Sequence, residues 1–307
     1  MKYRVLKLVA CVFALAAAGL SATAQTKQIS HDFSAFDALD IDYDFNVKVV
    51  ESRNYSVSLN VDDILKDYVQ AYVKNHTLFI TLDQKSLPSD IKKLYRGRKS
   101  STPLLEATVF TPEPLATVSL AGASVLSINY DLECKEFRVD MKENARIEHL
   151  TVDAGTVTVN LEGKSFADLV VYADNIKANV ANSSLLELEQ DSENLEIVTG
   201  GSGEVRAEGE TLNAVLTTSG SSKVTLNGKT DKLSVTGSGS SSVDALNFKT
   251  SDCTVKLSNS CKVYEAATEA IHVDLTGNST LVFDGEPTVD IINVKSSTLQ
   301  RYSNVKR

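Results

Sequence analysis

The sequence predicts an all-β protein. The expected fold is a parallel β-helix, or β-solenoid, of about ten coils, with a β-rich region capping its N-terminal end. Three observations predict it. First, Leu195 to Gly285 writes one pattern five times: strand, small-residue corner, strand, loop. Leu195-Glu-Ile197 leads into Gly200-Gly-Ser-Gly203 and then Val205-Arg-Ala207. Later versions turn at Ser219–Ser222, Gly237–Ser242, Ser258–Ser260 and Gly277–Ser279. Second, the leading apolar position of each coil recurs about every 19 residues, at Leu115, Phe137, Val157, Ile176, Leu195, Leu212, Leu233, Cys253, Ile271 and Val289. A fixed period near twenty marks a solenoid, in which no coil buries its inner face alone. Third, Val, Leu, Ile, Thr, Ser, Asn and Asp dominate and Trp is absent, a composition of strands and turns. Ankyrin and tetratricopeptide units need a longer period and helical spacing, and the Leu-x-x-Leu-x-Leu pattern of leucine-rich repeats is missing.

Taken in order, residues 1–24 read as a signal peptide. Lys2, Arg4 and Lys7 precede an apolar run from Leu8 to Leu20, and Ala22-Thr-Ala24 supplies small residues before Gln25. The run is short for a membrane span. Cys11 does not sit in a lipobox, because most of the apolar run follows it. Removing this leader takes away three basic and no acidic residues, so the net charge of −9 becomes −12. Such a chain is a poor match for nucleic acid or for an anionic bilayer, both of which need clustered cations.

Residues 25–110 form the N-terminal β-rich region, continuous with the solenoid. After a loose lead-in over residues 25–35, Phe36 to Val50 alternates. Leu39, Ile41, Tyr43, Phe45, Val47 and Val49 share one face, with Asp40, Asp42 and Asp44 on the other. Tyr55–Val61 repeats the alternation. Asp62–Val73 carries Ile64, Leu65, Tyr68, Val69 and Tyr72 at near-helical spacing after a capping Asp, and predicts a helix or helical turn. Leu78–Leu82 is a strand. Residues 83–103 form a loop punctuated by Pro88, Gly97 and Pro103, with Lys92, Lys93, Arg96, Arg98 and Lys99 clustered in it. This basic stretch, 92–99, reads as solvated surface or as a patch for an acidic partner. Leu104–Phe110 is a strand, and the coils occupy 111–307. Glycine and serine at their corners allow tight turns, and stacked Ser, Thr and Asn are expected to form hydrogen-bonded ladders up the corner.

These features resemble one family. The Phe36–Asp83 block, Thr111-Pro-Glu-Pro-Leu115 running into Val118-Ser-Leu-Ala-Gly-Ala-Ser124, and the Gly/Ser-cornered coils are similar to the auto-transporter adhesin head domain (GIN domain) family of secreted Bacteroidetes-type proteins. The resemblance spans nearly the whole chain after the leader. It implies a right-handed β-helix and an envelope location, and it supplies no catalytic residues to carry over. An autotransporter ends in a membrane barrel of alternating strands. Here the last coil runs straight into Leu299–Arg307, so surface display is expected to need another route.

The residues themselves offer no catalytic constellation. His31, His76, His149 and His272 lack metal-ligand spacing, and no Gly-x-Ser-x-Gly elbow occurs. Gly201-Ser-Gly203 and Gly237-Ser-Gly239 lack the third glycine of a dinucleotide loop. Cys134, Cys253 and Cys261 are too few and too irregular for a disulfide framework. The last two fall on inward positions. Asp40, Asp42 and Asp44, alternating along one strand, are the nearest approach to a calcium seed. Outward Glu204, Asp244 and Asp274 sit at equivalent positions but are not expected to stack in adjacent coils with basic partners. No cofactor, metal or catalytic residue is therefore assigned, and the binding residues stay open.

The reading is a non-enzymatic cell-envelope β-solenoid, adhesin-like or scaffolding, in the periplasm or at the outer-membrane surface. Its expected partner is a glycan or an envelope protein. A polysaccharide lyase or hydrolase on the same fold, and a structural subunit of an envelope assembly, are the alternatives. Tyr130, Tyr172 and Tyr264 are the aromatics whose exposure would point to a ligand.

Overall fold

The computed structural model describes residues 26–95 and 102–302. The leader and three members of the basic cluster, Arg96, Arg98 and Lys99, lie outside them. The strands in chain order are β1 (Thr26–Asp32), β2 (Ala38–Ile41), β3 (Asn46–Glu51), β4 (Ser56–Asp62), β5 (Val69–Lys74) and β6 (Thr77–Leu82). The short helix α1 (Ser89–Leu94) follows, then β7 (Leu105–Thr111), β8 (Thr117–Leu120), β9 (Val125–Ile128) and β10 (Leu132–Met141). The long strands are β11 (Arg146–Leu161), β12 (Phe166–Val180), β13 (Leu185–Thr199), β14 (Glu204–Thr218), β15 (Lys223–Gly237), β16 (Ser242–Leu257) and β17 (Lys262–Thr276). The chain closes with β18 (Thr280–Asp284), β19 (Thr288–Lys295) and β20 (Thr298–Arg301).

These strands stack into a parallel β-solenoid of about ten turns. Each long strand runs along one wall, bends, and continues along the opposite wall. A four-residue corner then returns the chain. The step is 19 residues where Leu195 pairs with Ala214 and Ala214 with Leu233, and 20 where Leu233 pairs with Cys253. Strict alternation buries one side chain in two, so Ile197, Leu216, Val235, Val255 and Val273 form one column of the core.

The corners hold a repeated backbone conformation. Gly201 and Gly220 sit there at φ 66° and 71°, where a Cβ would come within about 3 Å of the backbone of the coil below. Asn182 and Asn259 fill the same position at φ 60° and 64°; Asn tolerates this region better than most residues. The expected hydrogen-bonded ladder is present. Buried Ser222 and Ser241 bond the carbonyls of Ser219 and Ser238 at 2.9 Å, and meet Thr199 and Thr218 at 2.9 Å. Cys261 takes the serine's place in the next coil, 3.2 Å from Ser241. Cys253 and Cys261 are buried and free.

The structure revises three of the expectations. Leu212 is 51% exposed at a bend, and Ala214 holds the inward position between Leu195 and Leu233. Counting apolar side chains favours the larger residue, but the hydrogen-bonded register keeps the 19-residue step. Val289 is only half-buried, because no further coil among the described residues covers it. Finally, Asp62–Val73 holds the helical turn and not the longer helix, with the Val69 N–H bonded to the Leu65 carbonyl at 3.2 Å. Leu65 and Tyr68 close turns through bonds to the carbonyls of Asp62 and Leu65, and from Val69 the chain is strand β5, antiparallel to β6. Cross-strand pairing overrides the local spacing, and Tyr72 points outward.

The N-terminal region joins the stack out of sequence order. On the first wall the strands run β5–β6–β2–β8–β10; on the second they run β1–β4–β7–β3–β9–β11. The coil made by β2 and β3 thus lies between the later β6–β7 coil and β8–β9. The β4–β5 and β6–β7 connections cross from wall to wall, and bury Leu65 and Leu87 in the core.

Candidate functional site

On the first wall the outward side chains also stack into columns, since every coil repeats the same register. One column runs Tyr72, Phe79, Asp40, Ser119, Asp140, Asn160 and Asn179 across seven neighbouring strands, roughly 30 Å at the spacing of paired strands. Its first part is aromatic. The turn at Asn75 and His76, both at positive φ, folds β5 onto β6. It sets the Tyr72 and Phe79 rings 5.1 Å apart and 16° from parallel, with Tyr72 42% exposed.

The second part is a polar ladder. Arg138 grips Asp140 with a two-pronged fork, Nε to Oδ2 at 2.7 Å and Nη2 to Oδ1 at 2.8 Å. Asn160 donates to Asp140 at 2.8 Å, and Asn179 donates to Asn160 at 2.8 Å. Together with Asp40, Ser119, Lys142 and Lys177 they line an open groove of about 800 Å³. Asp40 is half-buried there. Its carboxyl is held above the usual range by burial and, secondarily, by Asp42. A parallel amide ladder, Asn175–Asn194–Asn213, continues the same wall with bonds of 3.0 and 3.1 Å.

The residues singled out in the sequence are distributed differently. Asp40, Asp42 and Asp44 do not share a face. Strand β2 ends at Ile41, Tyr43 turns at φ 82°, and Asp42 and Asp44 accept backbone N–H groups of Tyr43 (2.8 Å) and Ala123 (3.0 Å). They build the corner, and only Asp40 reaches the groove. Among the described residues, no group of three or more His, Cys, Asp and Glu is placed to hold a metal. Lys92 and Lys93 lie on α1, away from the ladder. Of the three tyrosines, Tyr172 is 48% exposed, whereas Tyr130 and Tyr264 are half-buried. Glu204 is tied to Arg206 at 2.8 Å, and Arg206 also holds Glu187 of the preceding coil at 2.7 Å. His149 and His272 each meet an aspartate of the adjacent coil.

Sequence reasoning missed the ladder, although its signal was present: Asp140, Asn160 and Asn179 are separated by the coil step. It also missed Glu265. Two residues after inward Val263, this carboxylate points into the core, fully buried, and neither oxygen has a hydrogen-bond partner. Burial pushes its carboxyl up to about 7. The Cys253 thiol beside it is pushed well up, by burial first and by Glu265 second.

With this geometry in hand, comparison with known proteins gives one decisive match. The family described as "Putative auto-transporter adhesin, head GIN domain" matches residues 35–190 and 171–287. The chain belongs to this family. No curated protein matches it. Among solved structures, this GIN domain protein is similar to a "putative lipid binding protein" from Parabacteroides distasonis, at 14% identity and a TM-score of 0.47, covering 92% of this chain and 98% of that one. It is also similar to a "putative adhesin" from the same organism, at 17% identity and a TM-score of 0.47, covering 91% and 98%. A "putative adhesin" from Parabacteroides merdae stands at 15% identity and a TM-score of 0.46, covering 92% and 98%. No helix among the described residues is long and apolar enough to cross a membrane.

Proposed function

We propose that this GIN domain protein is a non-enzymatic, adhesin-like binding protein of the cell envelope, and that it holds an extended glycan along the first wall. In this reading the leader exports it to the periplasm or the cell surface. In the same reading the region 25–110 closes the N-terminal end, supplies the first coils and contributes the aromatic pair, and the region from 111 on continues the stack. One observation carries the proposal: the stacked Tyr72–Phe79 pair continues through Asp40 and Ser119 into the Asp140–Asn160–Asn179 ladder on the same column. A sugar ring has an apolar face and a hydroxyl edge. Aromatic faces suit the first, and carboxylate, amide and guanidinium groups suit the second. The family's adhesin name is consistent with such a role.

The experiment is binding of the purified protein to a polysaccharide array, followed by titration calorimetry on each hit. Tyr72→Ala and Asn160→Ala should each weaken binding by roughly tenfold, while Lys93→Ala leaves it unchanged. An array without a hit, or hits indifferent to both first-wall substitutions, would overturn the reading.

A second reading rests on Asp40 and Asp140. They lie two strands apart, roughly 10 Å, one with a raised carboxyl and the other gripped by Arg138. An inverting glycosidase sets its acid and base slightly closer than this. Release of reducing ends from any polysaccharide, abolished by Asp40→Asn, would replace binding with hydrolysis.

A further inference from the structure

The last coil leaves one edge of each wall open. Strand β19 pairs only with β17, and β20 only with β18, among the described residues. Stacked solenoids ordinarily end in a coil whose outer side is polar. Here the register places Ile291 above Val273 and Val294 above Leu275, both on the inward side, yet they are 57% and 37% exposed. Ile292, the extra residue of a bulge, is 66% exposed. An unpaired strand carrying apolar side chains is a template for another strand.

The composition of β19 says which strand fits. Laid antiparallel on a copy of itself, with the two-fold axis between Ile292 and Asn293, Ile291 falls opposite Val294 of the second copy. In the same register Asp290, on the outward side, falls opposite Lys295 of the second copy. Apolar side chains meet in line with the core and opposite charges meet outside, with no like charges facing. Such an edge is complementary to itself, which is what a two-fold interface requires. Cross-strand pairs of this kind set register in antiparallel sheets.

We infer that the C-terminal coil is a dimerisation surface, on which two copies join tail to tail through antiparallel pairing of β19. The joined molecule is one continuous stack. Its two first walls, each with its aromatic and polar column, point away from a shared centre.

The test is the mass of the full-length protein by sedimentation equilibrium over a range of concentrations. A dimer is expected. Ile291→Lys and Val294→Lys should each raise its dissociation constant by roughly tenfold or more, with the circular dichroism spectrum unchanged. Asp290→Lys should weaken it and the double change Asp290→Lys, Lys295→Asp should restore it, an outcome that a merely folding-related effect would not produce. In a Cys134→Ser background, mixed Asp290→Cys and Lys295→Cys chains should cross-link to each other through a short bis-maleimide more readily than either does to itself. A monomer at every concentration, or a dimer indifferent to these changes, would overturn the inference. So would a full-length monomer that dimerises only when residues 303–307 are removed, since that assigns the edge to the chain's own tail.

Discussion

At its N-terminal end the solenoid is closed by connections that cross between the walls; at its C-terminal end no described residue covers the last coil. The crossing connections bury Leu65 and Leu87. They are pinned by Asp62, whose Oδ2 accepts the Tyr95 hydroxyl at 2.9 Å and the Leu104 N–H at 3.1 Å. Burial, reinforced by Asp62, holds the Tyr95 phenol above its ordinary value. At the other end Arg301, in the column position above Phe283, turns back to Glu286 and the Gly285 carbonyl. Within one chain the described residues leave most of β19 exposed. Identical coils thus have unequal neighbours: a side chain in a middle coil is covered from both sides, and one in the last coil from one side only.

The comparison can be broken most strongly at the closed end. Leu65→Ala empties a fully buried site and should cost about 2–5 kcal/mol in urea unfolding. The matching change at the open end, Ile291→Ala, should stay within about 0.5 kcal/mol while weakening self-association. If the two cost the same, the ends are equally covered and the contrast fails.

Glu265 sharpens the comparison near the open end. A folded-state value near 7 lies above the ordinary 4.5, so the folded chain holds this proton more tightly than the unfolded one. Its favourable contribution is complete below about pH 4.5 and is lost as pH rises to about 7. The loss amounts to about 3 kcal/mol. Glu265→Leu should therefore leave a variant more stable than the parent above pH 7, with that pH dependence gone. Denaturation midpoints at pH 5 and pH 8 for both proteins decide this, and an unchanged pH slope would refute it.

Asp62→Ala strips two donors of their acceptor and should cost about 1–3 kcal/mol. Amide exchange should quicken first in β5 and β6, leaving β13–β15 protected. The smallest expected effect is Glu204→Gln. It loosens one arm of Arg206 on an exposed face, and should change stability by less than about 1 kcal/mol.

Much of the architecture was legible in the chain. Gly200-Gly-Ser-Gly203 and its successors mark corners because glycine and asparagine reach the left-handed conformation there at least cost, and the step near 19 follows from their spacing. Legibility failed where a residue's role depends on the neighbouring coil. Leu212 looks like core and Ala214 like filler until Leu195 and Leu233 are placed on either side. Asp42 and Asp44 look like one acidic face until the corner at Tyr43 points them at backbone amides. Glu265 could have been recognised from its alternation with Val263, but charge argued the other way.

Period, alternation and corner chemistry are local properties, and they determined by themselves that this chain coils into a solenoid. They could not order the first coils, because β2 and β3 are spliced between strands that come later in sequence. Nor could they assemble the Tyr72–Asn179 column. Its members are up to 139 positions apart in number and meet only because hydrogen bonding between coils sets each on the register of the next. Tertiary structure decided which outward residues share a surface, and which end of the stack is left uncovered.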